Sequence, residues 1–478
     1  MLKPTSLVVT FACFLLLLTP FAQTQVPVPD TPAGKQFSAW LSAFNQGGDT
    51  LLQYLKDHFP SRGERASMDL QFRERTGGFN LKKIEESSTT KITAIVQERA
   101  SDQYGRITLE VAPEEPHNIV HFQGMPVPPP TDLAPPHLTE QQLISELRQK
   151  LATPADGDSY SGAVLVAKDG KPVFAEAYGL ADREKKTPNT LKTRFHIASM
   201  NKMFTAVATL QLAQAGKLDL NAPVGKYLTH YPNSDVAVKV SIHQLLTHTG
   251  GTGDFFGPEY DEHRNELRTI NDYVKLFGSR GVAFEPGTKW DYSNYGYLLL
   301  GAIIEAVSGQ SYYDYVREHI YAPAGMSSTG SDPEDASIPG LAIGYTKKGP
   351  NGPLTEPIPN TASLPYRGTP AGGGYSTVED LLRFATALQQ NKLLNARYTE
   401  LLTTGKVPTP MGSSYAYGFG DRTFNGTRCF GHNGGAPGVN GELEICPAAG
   451  YVVTALANID PLSAEHITEF VLNRLPAK

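Results

Sequence analysis

The stretch Gly124–Leu138, GMPVPPPTDLAPPHL, holds six prolines and almost nothing that a core would take up. Proline fixes φ and has no N–H to donate, so such a segment continues neither a helix nor the interior of a sheet. It predicts a stiff, extended linker over residues 126–137. Two folding units follow from it, residues 30–125 and residues 138–478. A chain of 478 residues, 40% hydrophobic and 19% charged, suits two globular domains better than one core. The formal net charge of −6 is spread without a basic stripe, which excludes the phosphate attraction that nucleic-acid binding needs.

At the N-terminus, Lys3 precedes an apolar run from Leu7 to Leu18, with Ala22 and Thr24 where a signal peptidase cuts. This predicts a signal peptide over residues 1–24 and a secreted or periplasmic product. The alternative is a membrane anchor, but the run is shorter than the roughly 20 residues that cross a bilayer. Cleavage removes Cys13 and leaves Cys429 and Cys446, which flank a strand, turn and strand pattern. They form either a disulfide across an antiparallel pair or two buried thiols.

In residues 30–125, Phe37, Trp40, Leu41 and Phe44 have helical spacing, and Gly47–Gly48 break that helix from a second. Alternating runs follow. Ile92, Ala94 and Val96 share one face of a strand, Ile107, Leu109 and Val111 share one face of another, and NIVHF is a third. Helices followed by a meander make a small α+β domain. Through AFNQGGD between its helices it resembles the ketosteroid-isomerase-like cone fold, without a recognisable catalytic set. After the linker, TEQQLISELRQKLA is an amphipathic helix, and Asp169-Gly170 joins two apolar runs as a hairpin. The chain is then helical and loop-rich to about residue 360. Strands around YAYGFG, RCFGH, GELEIC and YVVTALAN close it with a final helix. Strands at both ends with helices between predict one sheet built from distant segments, with a helical insertion.

Three short motifs stand out against decoys. Ser-x-x-Lys occurs twice. Ser88–Lys91 lies in a Thr-rich stretch expected to be extended, where i and i+3 point to opposite faces. Ser199–Lys202 opens an apolar helix, where i and i+3 are neighbours, so the amine reaches the hydroxyl. The helix N-terminus also aims backbone N–H groups at a developing oxyanion. Tyr292-Ser293-Asn294 sits on a loop entering an apolar helix, whereas Tyr231-Pro232-Asn233 reads as a turn. His432-Asn433-Gly434 lies at a strand edge with glycines that let a substrate backbone approach. Its decoy, His248-Thr249-Gly250, follows a helix whose end the glycines cap and reads as architectural. No metal set or cofactor motif is evident, since Glu262-His263 and Glu465-His466 each lack a second ligand at i+4.

The order Ser-x-x-Lys, Tyr-x-Asn and His-x-Gly, with TRFHIASMNKMFTA, LLTHTGG, PGTKWDYSNYGYLLLG, AGGGYSTVEDLLRF and GHNGGAPG, resembles the serine β-lactamase and penicillin-binding-protein superfamily. The branch is that of class C enzymes, DD-peptidases, D-aminopeptidases and family VIII carboxylesterases, and the resemblance covers about residues 138–475. It implies an α/β fold of β-lactamase/DD-peptidase type, an antiparallel sheet flanked by helices plus an all-helical subdomain. It implies Ser199 as nucleophile, Lys202 and Tyr292 sharing proton transfer, and Asn294 orienting the lysine or the substrate. It also implies an oxyanion hole made by the N–H groups of Ser199 and Gly435.

A free lysine and a free tyrosine both titrate near about 10, so burial or a neighbouring cation must shift one of them, and which holds the proton is left open. His432 stands where β-lactamases carry a lysine, which weakens the attraction for a substrate carboxylate. Arg422 and Arg428 either replace that charge or are solvated strand residues. The function implied is a secreted serine hydrolase of a small-molecule ester, amide or peptide, as a carboxylesterase or D-amino-acid peptidase. The alternatives are a β-lactamase and a penicillin sensor that acylates without turnover.

Overall fold

The computed structural model describes residues 26–152, 160–349, 352–410 and 412–477. The expected signal peptide and Cys13 lie outside them. The first unit packs helices α1 (Pro32–Gln46), α2 (Gly48–His58) and α3 (Ala66–Thr76) on an antiparallel sheet in the order β1 (Phe79–Ser87), β2 (Lys91–Glu98), β3 (Tyr104–Val111) and β4 (Ile119–Val127). Phe37, Trp40 and Phe44 of α1 are buried against Ile92, Ala94, Val96, Ile107 and Leu109, so the sequence periodicities mark the two faces that meet. α3 and β1 carry weaker signals. β1 has register shifts at Leu81/Lys83 and Ile84/Glu86, which break the period of two.

Lys91 opens β2 and is extended as expected, whereas Ser88 lies just past β1 and helps close the β1–β2 turn. The Ser88 N–H donates to Lys91 O at 2.8 Å and the Lys91 N–H donates to Ser88 Oγ at 3.1 Å. The Lys91 amine pairs instead with Glu86. The alternation of the flanking residues belongs to the strands, and the polar residues between them supply the turn.

Strand β4 runs to Val127, past Pro126 where the linker was expected to start, which an edge strand permits. The segment beyond it is laid on the second unit. Asn425 donates to Pro135 O at 2.9 Å, His137 Nδ1 lies 2.7 Å from Leu475 O, and Tyr104 donates to Leu133 O at 2.8 Å. Arg474 holds Asp102 at 3.1 Å, and Gln103 donates to Glu469 at 2.5 Å.

The second unit opens with α4 (Glu140–Ala152), then β5 (Gly162–Lys168) and β6 (Lys171–Tyr178), joined by Asp169-Gly170 with φ +50° and +77°. Both residues in the left-handed region are what a two-residue type I′ hairpin requires. Further on come β7 (Phe195–Ala198), α5 (Asn201–Gln214), α6 (Asn294–Ser308) and β8 (Gly374–Ser376), then β9 (Gly420–Phe424), β10 (Thr427–Ala436), β11 (Val439–Cys446), β12 (Tyr451–Ala457) and α7 (Ser463–Leu472). The main sheet has eight strands in the order Val407–Pro408, Ser414–Tyr415, β9, β10, β11, β12, β5, β6, all antiparallel.

Period-two alternation divides this sheet between two cores. Val164, Val166, Val453 and Ala455 face α4 and α7, while Ala163, Leu165, Val452 and Leu456 face α5 and the helical region. Cys429 and Cys446 face each other across β10 and β11 with Cα atoms 4.2 Å apart, and they are joined as a disulfide. Strand β7 lies off the main sheet, paired with β8 and running alongside β10. That places the start of α5 at the end of β10.

Candidate active site

Ser199 occupies the junction between β7 and α5. Ala198, at φ +43°, turns the chain there, and the Lys202 N–H donates to Ser199 O at 3.0 Å. The first turn therefore brings Lys202 back over Ser199. α5 is apolar and buried on nearly every side, so it carries Lys202 into the interior with 0% exposure. The Lys202 amine touches Asn294 Oδ1 at 2.7 Å, Ala371 O at 2.5 Å and Ser199 Oγ at 3.3 Å. Two of these partners can only accept. A neutral amine has two N–H bonds and one lone pair, so both N–H bonds are spent on carbonyl oxygens and the lone pair faces the one partner that can donate, the serine hydroxyl. Burial lowers the Lys202 pKa to about 7 against the opposing pull of Asp254.

The orientation of Asn294 is set from outside. Its Nδ2 donates to Asp254 at 2.7 Å, which turns its carbonyl oxygen to Lys202. Ser293 caps α6 by accepting the Gly296 N–H at 2.9 Å, and this holds Tyr292 and Asn294 on either side of the cap. The Lys202 nitrogen lies over the Tyr292 ring, 4.6 Å from its centroid. Burial raises the phenol pKa, only partly offset by the neighbouring Ser199 hydroxyl. The expected stabilisation of a phenolate by the lysine cation is therefore absent. The amine meets the face of the ring, desolvation dominates both groups, and their proton affinities move in opposite directions.

His248, expected to be architectural, lies in this site. The short helix Ile242–Leu246 ends just before it, and His248 itself takes the left-handed conformation, φ +60°. Its buried ring packs against Tyr292 at 4.3 Å, tilted by 34°, and against Tyr415 at 4.6 Å between centroids. The Ser293 N–H donates to its Nδ1 at 3.0 Å, so the neutral ring carries its proton at Nε2. Burial, reinforced by Lys202, holds its pKa well below the usual value. The signal available in sequence is a histidine where a helix exit ordinarily takes glycine.

Strand β10 brings the third motif. His432 is buried. Its Nδ1–H donates to Asn433 O at 2.5 Å and its Nε2 accepts from the Tyr415 hydroxyl at 3.0 Å. Burial, then Lys202, pushes its pKa down to about 3, so the ring is neutral. At Gly434 a Cβ would stand 2.1 Å from Ile197 O and 3.1 Å from Ser199 N, so the two backbones are in direct contact. Gly435 is exposed and Ser199 partly so, which leaves a path for a carbonyl between them. Ser199, Lys202, Tyr292, Asn294, His432, Gly434 and Gly435 thus converge from three separate segments.

Neither arginine supplies the missing cation. Arg422 is not a solvated strand residue, since its guanidinium is committed to the buried Glu442 at 2.7 Å and Glu444 at 3.2 Å. Arg428 pairs with Asp421 at 2.7 Å.

The β-lactamase family model matches residues 141–477, well over half of the chain. The chain belongs to the β-lactamase family. A Bacillus subtilis (strain 168) protein described as "Putative penicillin-binding protein PbpX" is 32% identical over 321 residues, 67% of this β-lactamase-family chain and 76% of that one. The structure of a penicillin binding protein from Bacillus halodurans aligns with a TM-score of 0.59 at 31% identity, over 68% of this chain and 97% of that one. A D-stereospecific amidohydrolase from Streptomyces sp. aligns with a TM-score of 0.57 at 26% identity, again over 68% and 97%. The family match begins at the first turn of α4, so residues 26–140 stand outside it.

Proposed function

We propose that this chain is a serine acyl hydrolase that acts outside the cytoplasm on a small ester or amide bearing no free carboxylate at the recognition site. The Lys202 amine carries the reading, because in its neutral form both N–H bonds go to Asn294 Oδ1 and Ala371 O and the lone pair is left for Ser199. Ser199 Oγ attacks the carbonyl carbon as Lys202 takes its proton, and the N–H groups of Ser199 and Gly435 receive the oxyanion. The tetrahedral species expels the alcohol or amine, which regains a proton from Lys202 through the Tyr292 hydroxyl. Water then attacks the acyl-enzyme and releases the acid.

The proposed substrate class follows from charge. His432 is neutral and Arg422 is neutralised by glutamates, so a carboxylate such as that of a cephalosporin meets no motif cation. The amide arm has support from the likeness to the Streptomyces amidohydrolase. The Cys429–Cys446 bond supports an oxidising compartment.

Turnover of a short-chain nitrophenyl ester, a D-amino-acid amide and a chromogenic cephalosporin tests this. Multiple turnovers of the ester or amide are expected, with kcat/KM for the cephalosporin about tenfold to a hundredfold lower, the scale of one charge-assisted hydrogen bond. Faster cephalosporin turnover would make the chain a β-lactamase. A single-equivalent burst with no turnover on any of the three would make it a sensor.

A further inference from the structure

Two glycines in succession, Gly434 and Gly435, bracket a peptide unit with no Cβ at either end to limit its rotation. In the acyl-transfer reading above, the N–H of that peptide is an oxyanion donor, and it serves only if it is held facing Ser199. We infer that Asn440 is the positioning residue for this peptide, holding its carbonyl from behind so that the Gly435 N–H faces the Ser199 turn.

The geometry is continuous. Asn440 is the second residue of β11, lies opposite Gly435 in the ladder and is 0% exposed. Its Nδ2 donates to Gly434 O at 3.0 Å. The C=O of Gly434 and the N–H of Gly435 belong to one trans peptide and point in opposite directions. A carbonyl drawn toward β11 therefore sends the N–H to the other edge of β10. On that edge β9 has already ended, with Gly420 opposite Gly431, and the backbone of Ile197–Ser199 takes its place against Gly434.

The amide of Asn440 is itself fixed at its other end. Its Oδ1 accepts the Ala464 N–H at 2.6 Å and the Ser463 hydroxyl at 3.3 Å at the start of α7, which leaves the nitrogen for Gly434. The bond to the carbonyl also polarises the peptide and makes its N–H a stronger donor. Asn440 lies behind the peptide and acts on the reaction through it.

The test compares wild type with Asn440→Asp, which keeps an acceptor for Ala464 and Ser463 but loses the donor, and with Asn440→Ala, which loses both. Both are measured with a nitrophenyl ester and its thionoester, whose sulfur fits an oxyanion hole poorly, and thermal melts report folding. Each folded variant is expected to lose about tenfold to a hundredfold in kcat, below the cost of deleting a donor outright. KM stays within about threefold, and the ester-over-thionoester preference shrinks by a similar factor. Unchanged kcat in either folded variant overturns the inference, and so does a loss that leaves the ester-to-thionoester ratio intact. Asn440→Asp brings a carboxylate near Glu465, so if it fails to fold the neutral Asn440→Ala decides. The acyl-transfer reading fails separately, if wild-type turnover persists in Ser199→Ala.

Discussion

Lys202→Arg lowers kcat for ester hydrolysis by at least about a thousandfold, although it conserves the charge. Arginine stays protonated at any working pH and has no lone pair to offer. If Lys202 served only as a cation near the oxyanion, arginine would retain much of the rate. Lys202→Met, similar in length and neutral, falls as far because it removes the acceptor, and it also leaves Asn294 Oδ1 and Ala371 O without their donor. The same account fixes the pH dependence. The working form is the neutral amine, which burial makes accessible by lowering the pKa to about 7. Below that midpoint the lysine is protonated in the free enzyme and kcat/KM falls about tenfold per pH unit, whereas above it the rate is level. Buried His248 and His432 are neutral across this range and Tyr292 keeps its proton, so one acid-side midpoint is expected.

Gly434→Ala has the next largest effect, through backbone contact alone. The added Cβ would lie 2.1 Å from Ile197 O, against about 3.5 Å for non-bonded heavy atoms at ease. Neither partner is a flexible side-chain end, so strand β10 must move away from β7. That displacement carries Gly435 from Ser199 and widens the gap an oxyanion must bridge. A loss of at least about a hundredfold in kcat is expected, the cost of one oxyanion donor. Circular dichroism should stay near wild type, because the eight-stranded ladder continues on the other side of β10. Gly435→Ala is the control. There the nearest contact is the Pro461 ring, whose Cγ would lie 2.9 Å away, so a smaller loss is expected.

Local periodicity made much of this molecule legible. The faces of α1, β2 and β3, the Asp169-Gly170 hairpin and the closing strands are patterns within a few residues, and the packed structure uses them as written. Ser199 and Lys202 were legible for the same reason, since their geometry is one helical turn. What sequence could not supply is what meets them from afar. Ala371 O reaches Lys202 across 169 residues, Asp254 fixes Asn294 across 40, and Asn440 reaches Gly434 around a strand turn. Asp254 and Asn440 lie outside every motif, and Ala371, which opens AGGGYSTVEDLLRF, contributes only a backbone carbonyl that its side chain does not announce. His248 was misjudged because a helix exit followed by glycines is common, and nothing local shows that its ring will lie beneath Tyr292. Arg422 was misjudged because Glu442 and Glu444 sit two strands away on the same face.

The central claim is that Ser199 becomes acylated and is then freed by water. Rapid quench of the protein with excess nitrophenyl ester, followed by intact mass and peptide mapping, tests it most directly. The account predicts one acyl group per chain, on the peptide containing Ser199, formed more slowly at pH 5 than at pH 8 and lost on further incubation. An acyl group on any other residue, or ester turnover that continues unchanged in Ser199→Ala, would contradict it.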